Sequence, residues 1–125
     1  MLIEITHEDE ICFLHLSGHF RSGEDPDYVR DKADQINRHN CTRMLADLRE
    51  LQSIGSMGIG FIVGVYISVS KRPGGRFVLV GANKRIREVL DLTRLSTVLP
   101  LATDPLSGLA VLRGEGPAAR SVGKG

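Results

Sequence analysis

Apolar and polar positions alternate twice near the start of the chain. Leu2 to Thr6 is apolar at every second position, and Glu10 to Leu16 (Glu-Ile-Cys-Phe-Leu-His-Leu) reads as a strand packed on both sides. The charged triplet Glu8-Asp9-Glu10 between them suits a tight turn, and Ser17-Gly18 closes the second strand. A polar loop over 18–25 follows. Asp25-Pro26 then supplies a helix start, with Asp as N-cap and Pro at the first helical position. Val29, Ala33 and Ile36 form one apolar stripe, and the helix should fade at Arg38-His39-Asn40.

The period changes again further on. Arg43 to Leu48 has the composition and length of a central strand, with a loop over 49–55 behind it. From Ser56 to Val69 the apolar residues are almost continuous. Many are β-branched, but the length favours a helix. Being apolar nearly all round, this helix should be buried on most sides, with Gly60 and Gly64 as a smooth strip against a sheet. Pro73-Gly74-Gly75 is a break. Arg76 to Val80 is a further strand, and Ile86, Val89 and Leu90 mark a helix over 84–92. Leu95 to Leu101 continues an apolar run across Pro100, and Asp104-Pro105 repeats the helix-start signal ahead of Leu106, Leu109, Ala110 and Leu112. From 114 onward Gly, Pro, Ala and charge dominate, and a disordered tail over 114–125 is expected. The order β-β-α-β-α-β-α-(β)-α predicts one α/β domain over 1–113. It should have a mixed four- to five-stranded sheet with helices mainly on one face.

Composition narrows the function. Apolar residues make up 42 % of 125 and charged residues 25 %, enough for one core. Sixteen basic and fifteen acidic residues leave a net charge of +1, so no strong field draws nucleic acid or an anionic membrane. The longest apolar stretch, 57–69, is too short to span a bilayer, and no secretory leader pattern opens the chain. The two cysteines, Cys12 and Cys41, suggest no disulfide framework and read as small buried apolar residues. A cytoplasmic location is the expectation. His7, His15, His19 and His39 are scattered without zinc spacing, and no serine or cysteine is identifiable with a catalytic base. Gly58-x-Gly60-x-x-x-Gly64 only faintly matches a dinucleotide loop, because its glycines fall inside the helix. Neither a cofactor nor a metal is expected, and an enzyme is the least supported class.

The stretch Met44-Leu-Ala-Asp-Leu-Arg-Glu-Leu-Gln-Ser-Ile-Gly-Ser-Met-Gly-Ile-Gly60 resembles the signature of STAS domains, found in bacterial anti-sigma-factor antagonists and in the tails of anion transporters. That pattern is an apolar strand ending Asp-Leu, a short loop, then Asp-Ser-Ser/Thr/Ala-Gly-Leu-Gly opening a helix. The likeness extends to Leu14-His-Leu-Ser-Gly18, to Gly74-Gly75-Arg-Phe-Val-Leu-Val-Gly and to Ile86-Arg-Glu-Val-Leu-Asp-Leu-Thr-Arg-Leu95. The resemblance implies an antagonist that binds an anti-sigma factor acting as a serine kinase, with Ser56 as the phosphorylated residue. The implied partner surface is Arg21, Gly55, Ser56, Met57 and Gly58. The chain departs from the pattern at three of these: Gly55 replaces Asp, Met57 replaces a small or hydroxyl residue, and Arg21 stands where an acidic residue is common. The residues leave alternatives open. Ser56 could be a plain N-cap, the helix mouth could bind a small anion or nucleotide, or the chain could be a scaffold subunit. As a solution species, a monomer or weak dimer is expected.

Overall fold

The computed structural model describes residues 1–21 and 23–114. The elements run β1 (Leu2–Glu8), β2 (Ile11–Phe20), α1 (Pro26–Arg38), β3 (Arg43–Ile54), α2 (Ser56–Ser70), β4 (Arg76–Val80), α3 (Lys84–Leu92), a 3₁₀ turn at Leu95–Thr97, β5 (Leu101–Ala102) and α4 (Pro105–Leu112). This is the order expected from the sequence. The expected tail, apart from Gly114, lies outside the described residues.

The sheet order is β1-β2-β3-β4-β5. β1 pairs with β2 antiparallel, and every later pair is parallel. Parallel neighbours need crossovers, and α1, α2 and α3 supply them. These three helices contribute Ile36, Phe61, Ile62, Val65, Val69, Ile86 and Leu90 to one large core with Leu14, Leu16, Met44, Ala46 and Leu79. A smaller cluster on the other face joins Leu45, Val78 and Val80 to Val111 and Leu112 of α4. Helices therefore lie mainly on one face.

Both Asp-Pro helix starts are realised. Asp25 accepts from the Asp27 amide at 3.0 Å and Asp104 from the Ser107 amide at 2.8 Å, each ahead of a proline in the first turn. At the β1 edge the Tyr28 hydroxyl meets the main chain of Ile3. It accepts from the Ile3 amide at 3.0 Å and donates to the Ile3 carbonyl at 3.4 Å.

Four expectations need correction. β2 runs on to Phe20 and β3 to Ile54, so 18–20 and 49–54 are strand, not loop. The register shifts twice, between His15 and Ser17 and between Gly18 and His19, and each time β3 carries the extra residue. A bulge breaks the two-residue period, so consecutive exposed residues such as Arg49 and Glu50 look like a loop in sequence. Gly18 sits at φ +87°, a left-handed conformation that suits glycine at such a kink.

Second, α2 is fully buried along one face and not on most sides. Its inner face is Gly58, Phe61, Ile62, Val65 and Val69, while Gly60, Gly64 and Ile67 are exposed. Third, Gly60 and Gly64 do not lie on the sheet. They line an open groove of about 280 Å³ against Val29, Ala33 and Ile36 of α1. One flanking helix and a five-stranded sheet leave part of an apolar cylinder uncovered. Fourth, Cys12 and Cys41 are disulfide-bonded. Both are buried, at 1 % and 3 % exposed, as the sequence suggests, but they are paired with each other. The bond joins residues 29 apart in sequence, and the β2–β3 pairing brings them together: Cys12 stands opposite Met44, three residues after Cys41.

Candidate functional site

The end of β2 and the start of α2 meet through the main chain. Phe20 pairs with Ile54 in the parallel register, and the Gly55 amide donates to the Phe20 carbonyl at 2.7 Å. Arg21 is the next residue after Phe20 and Ser56 the next after Gly55, so this bond brings both to one surface. Arg21 and Ser56 are exposed, Gly55 and Met57 half-buried and Gly58 buried. All five residues expected at the site thus cluster where β2 and β3 end.

Ser56 is not the N-cap of α2. That position belongs to Gly55, in extended conformation (φ −121°, ψ −164°), and Ser56 is the first helical residue. The Gly55 carbonyl accepts from the Ile59 amide at 2.9 Å and opens the helical ladder. No acidic residue occupies the first turn of α2. The first turn of a helix carries free amides and the positive end of the dipole, which stabilise an anion placed there.

Gly58 sets the depth at which the helix sits. A Cβ there would come 2.6 Å from Ile54 Cγ1, 2.8 Å from the Phe20 carbonyl oxygen and 2.9 Å from Phe20 Cγ. Only a glycine lets the first turn press onto the β2 and β3 ends. Phe20 in turn packs on Phe61, with ring centroids 5.5 Å apart.

Two supports went unseen in the sequence. Asn83 accepts from the Ile86 amide at 2.8 Å as N-cap of α3. The same side chain donates to the Leu51 carbonyl at 3.2 Å and the Gln52 carbonyl at 3.1 Å, pinning the bulged end of β3. An asparagine just before a helical stripe was the available signal for the cap; the contact with β3 had none. His19 Nδ1 lies 2.6 Å from Ser53 Oγ. A serine beside a histidine was not identifiable from sequence because 34 residues separate them. The pair joins β2 to β3 at the second bulge, and Ser53 is only 9 % exposed.

A second polar cluster lies on the sheet face opposite α1 to α3, the side to which His15 alternates between Leu14 and Leu16. Asp47 accepts from the Arg49 side chain at 2.8 and 3.0 Å and from the Arg49 amide at 3.0 Å. His15 lies 3.5 Å from Asp47 and 2.9 Å from Glu50. Burial acts to raise the Asp47 carboxyl, but the Arg49 hydrogen bonds with the charges of Arg49 and His15 outweigh it and hold it below the ordinary value of 3.8. Among the described residues no group of three or more His, Cys, Asp or Glu is placed to hold a metal ion. Nor is any helix there long and apolar enough to cross a membrane.

A parallel sheet begun by an antiparallel hairpin, with α2 seated by a glycine on two strand ends, defines a small α/β domain with one prepared surface. The STAS domain model matches residues 3–105, and the chain belongs to the STAS family. It is 28 % identical over 111 residues to the anti-sigma F factor antagonist of Paenibacillus polymyxa, covering 88 % of this chain and 93 % of that protein. The fold is shared with an anti-sigma factor antagonist from Mycobacterium paratuberculosis, with a TM-score of 0.77 and 19 % identity over 90 % of this chain and 93 % of that one. It is also shared with the antagonist SpoIIAA in its unphosphorylated form, with a TM-score of 0.72 and 17 % identity over 93 % and 100 % of the two chains. The phosphorylated form of Bacillus SpoIIAA matches with a TM-score of 0.61 and 17 % identity, over 82 % and 93 %.

Proposed function

We propose that this protein is an anti-sigma-factor antagonist that binds an anti-sigma serine kinase through the surface of Arg21, Gly55, Ser56, Met57 and Gly58, with phosphorylation of Ser56 as the switch. A location in the cytoplasm belongs to the same proposal. The observation that carries it is the 2.7 Å bond from the Gly55 amide to the Phe20 carbonyl. It presents an exposed serine at the start of α2, beside the exposed Arg21 that follows β2. Family membership and the names of the relatives support the choice of partner.

The chemistry follows from the surface. Bare Ser56 offers a small neutral hydroxyl among backbone and apolar groups, a surface that a partner can cover closely. A phosphate adds roughly 1.5 to 2 negative charges at the same point. The first turn of α2 stabilises that charge through its amides and dipole, and no carboxylate in that turn opposes it. The domain therefore keeps its fold while its partner meets a bulky, charged patch. Arg21 lies on the same surface and supplies a guanidinium that can pair with phosphate.

The test is a tagged pull-down from the source cells with wild type and Ser56→Glu. Wild type should recover an ATP-binding anti-sigma kinase and the variant should not. Recovery of the same partners by both proteins would remove the switch.

A further inference from the structure

Cys12 is the second residue of β2, and Cys41 lies in the short connection from α1 to β3. They are the two cysteines of the chain, and their Sγ atoms are bonded with the Cα atoms 6.0 Å apart. The covalent ring from 12 to 41 encloses β2 beyond its first residue, the Arg21 connection and all of α1.

Besides that bond and the Tyr28 hydroxyl on the Ile3 main chain, α1 is held by little: among the described helices it buries the smallest share of its residues. One of its 13 residues, Ile36, is buried. In comparison α2 buries five of 15, α3 two of nine and α4 three of eight. Elements with few buried contacts open at the lowest free-energy cost. The bond joins the C-terminal end of this helix to the sheet, at the opposite end from the Arg21 connection. Against that end, His39 stacks on His7 with centroids 6.1 Å apart, and His7 lies directly across the β1–β2 ladder from Cys12.

We infer that Cys12 and Cys41 form a reversible thiol–disulfide switch that sets how firmly α1 and residues 23–25 ahead of it are held on the sheet. The reductant is a low-molecular-weight thiol of the glutathione class. Its thiolate attacks one sulfur, the Sγ–Sγ bond breaks, and the other cysteine leaves as a thiolate that takes up a proton. A second thiol resolves the mixed disulfide. Two electrons pass from the two small thiols, which end as one small disulfide, and the protein ends with two cysteine thiols. Both sulfurs are buried, so attack proceeds through opening of the exposed His39–Asn40 turn that precedes Cys41. A pair reached only through local opening responds slowly to a thiol pool and holds its state between changes.

The inference concerns the α1 layer and does not depend on the identity of any partner. The full chain, purified without reductant, is equilibrated in buffers of varied reduced to oxidised glutathione ratio and alkylated with N-ethylmaleimide. Intact mass then reads zero or two adducts, and amide hydrogen exchange is followed on both forms. The expected result is full, reversible passage from zero to two adducts while the protein stays folded. In the reduced form, exchange should rise about tenfold or more in α1 and residues 23–25, with β4 and α4 unchanged. The Cys12→Ser, Cys41→Ser variant should exchange like reduced wild type at every ratio. Three results overturn the inference: two adducts under all conditions, zero adducts until the protein unfolds, or equal exchange in the two forms.

Discussion

Gly58 lies against Phe20 so closely that a Cβ on residue 58 would stand 2.9 Å from the Phe20 ring carbon Cγ and 2.8 Å from the Phe20 carbonyl oxygen. That carbonyl is the acceptor for the Gly55 amide. The contact therefore decides the seating of α2 on the strand ends that lead into Arg21 and Ser56.

Gly58→Ala is expected to destabilise the domain by about 2 kcal/mol, because the obstructing atoms include main chain that cannot turn aside. Gly60→Ala makes the contrasting case. A Cβ there meets nothing within 4 Å, so the substitution should stabilise α2 by about 0.5–1 kcal/mol. Urea unfolding of the two variants checks the pair; equal effects at both positions would contradict the seating described here.

Asn83→Ala removes an N-cap and two bonds to β3 carbonyls at once. A loss of about 1–2 kcal/mol is expected. Because the anchored carbonyls lie just before the site, amide exchange should quicken at 51–56 as well as in the first turn of α3. Exchange confined to α3 would show a cap and nothing more.

The Asp47 carboxyl is held below its ordinary value in the folded protein. It therefore contributes stability that is present above pH 3.8 and is lost as pH falls through its lowered folded value. Asp47→Asn should be less stable than wild type at pH 6, and the gap should close on acidification below pH 3.8. Thermal unfolding across that range measures it; a gap that widens in acid would reverse the sign argued here.

Tyr28→Phe keeps the ring and deletes the hydroxyl that occupies the Ile3 amide and carbonyl on the open edge of β1. The expected cost is about 1 kcal/mol. An edge strand with unmet main-chain groups is a template for another strand, so the variant should also self-associate more than wild type. Sedimentation velocity at rising concentration reads that effect.

Local signals carried most of the secondary structure. Asp25-Pro26, Asp104-Pro105, the Pro73-Gly74-Gly75 break and the Val29, Ala33, Ile36 stripe act within one or two helical turns, so they are readable without knowing the fold. The mixed sheet followed from the order of elements, because parallel neighbours demand crossovers. Tertiary structure alone decided the rest. Bulges extended β2 and β3, since an extra residue is defined only against a partner strand. Sheet and helix packing turned Gly58 inward and Gly60 outward, though a uniformly apolar helix has no pattern to say which side faces in. Cys12 with Cys41, His19 with Ser53, and Asn83 with β3 are contacts across about 30 residues, and no local period encodes them. A serine opening an apolar run is a local feature and marked where α2 begins, but it pointed to an N-cap, which the backbone assigns to Gly55; the site role of Ser56 came from family likeness. Its neighbour across the surface, Arg21, came from family likeness in the sequence and from one backbone hydrogen bond in the fold.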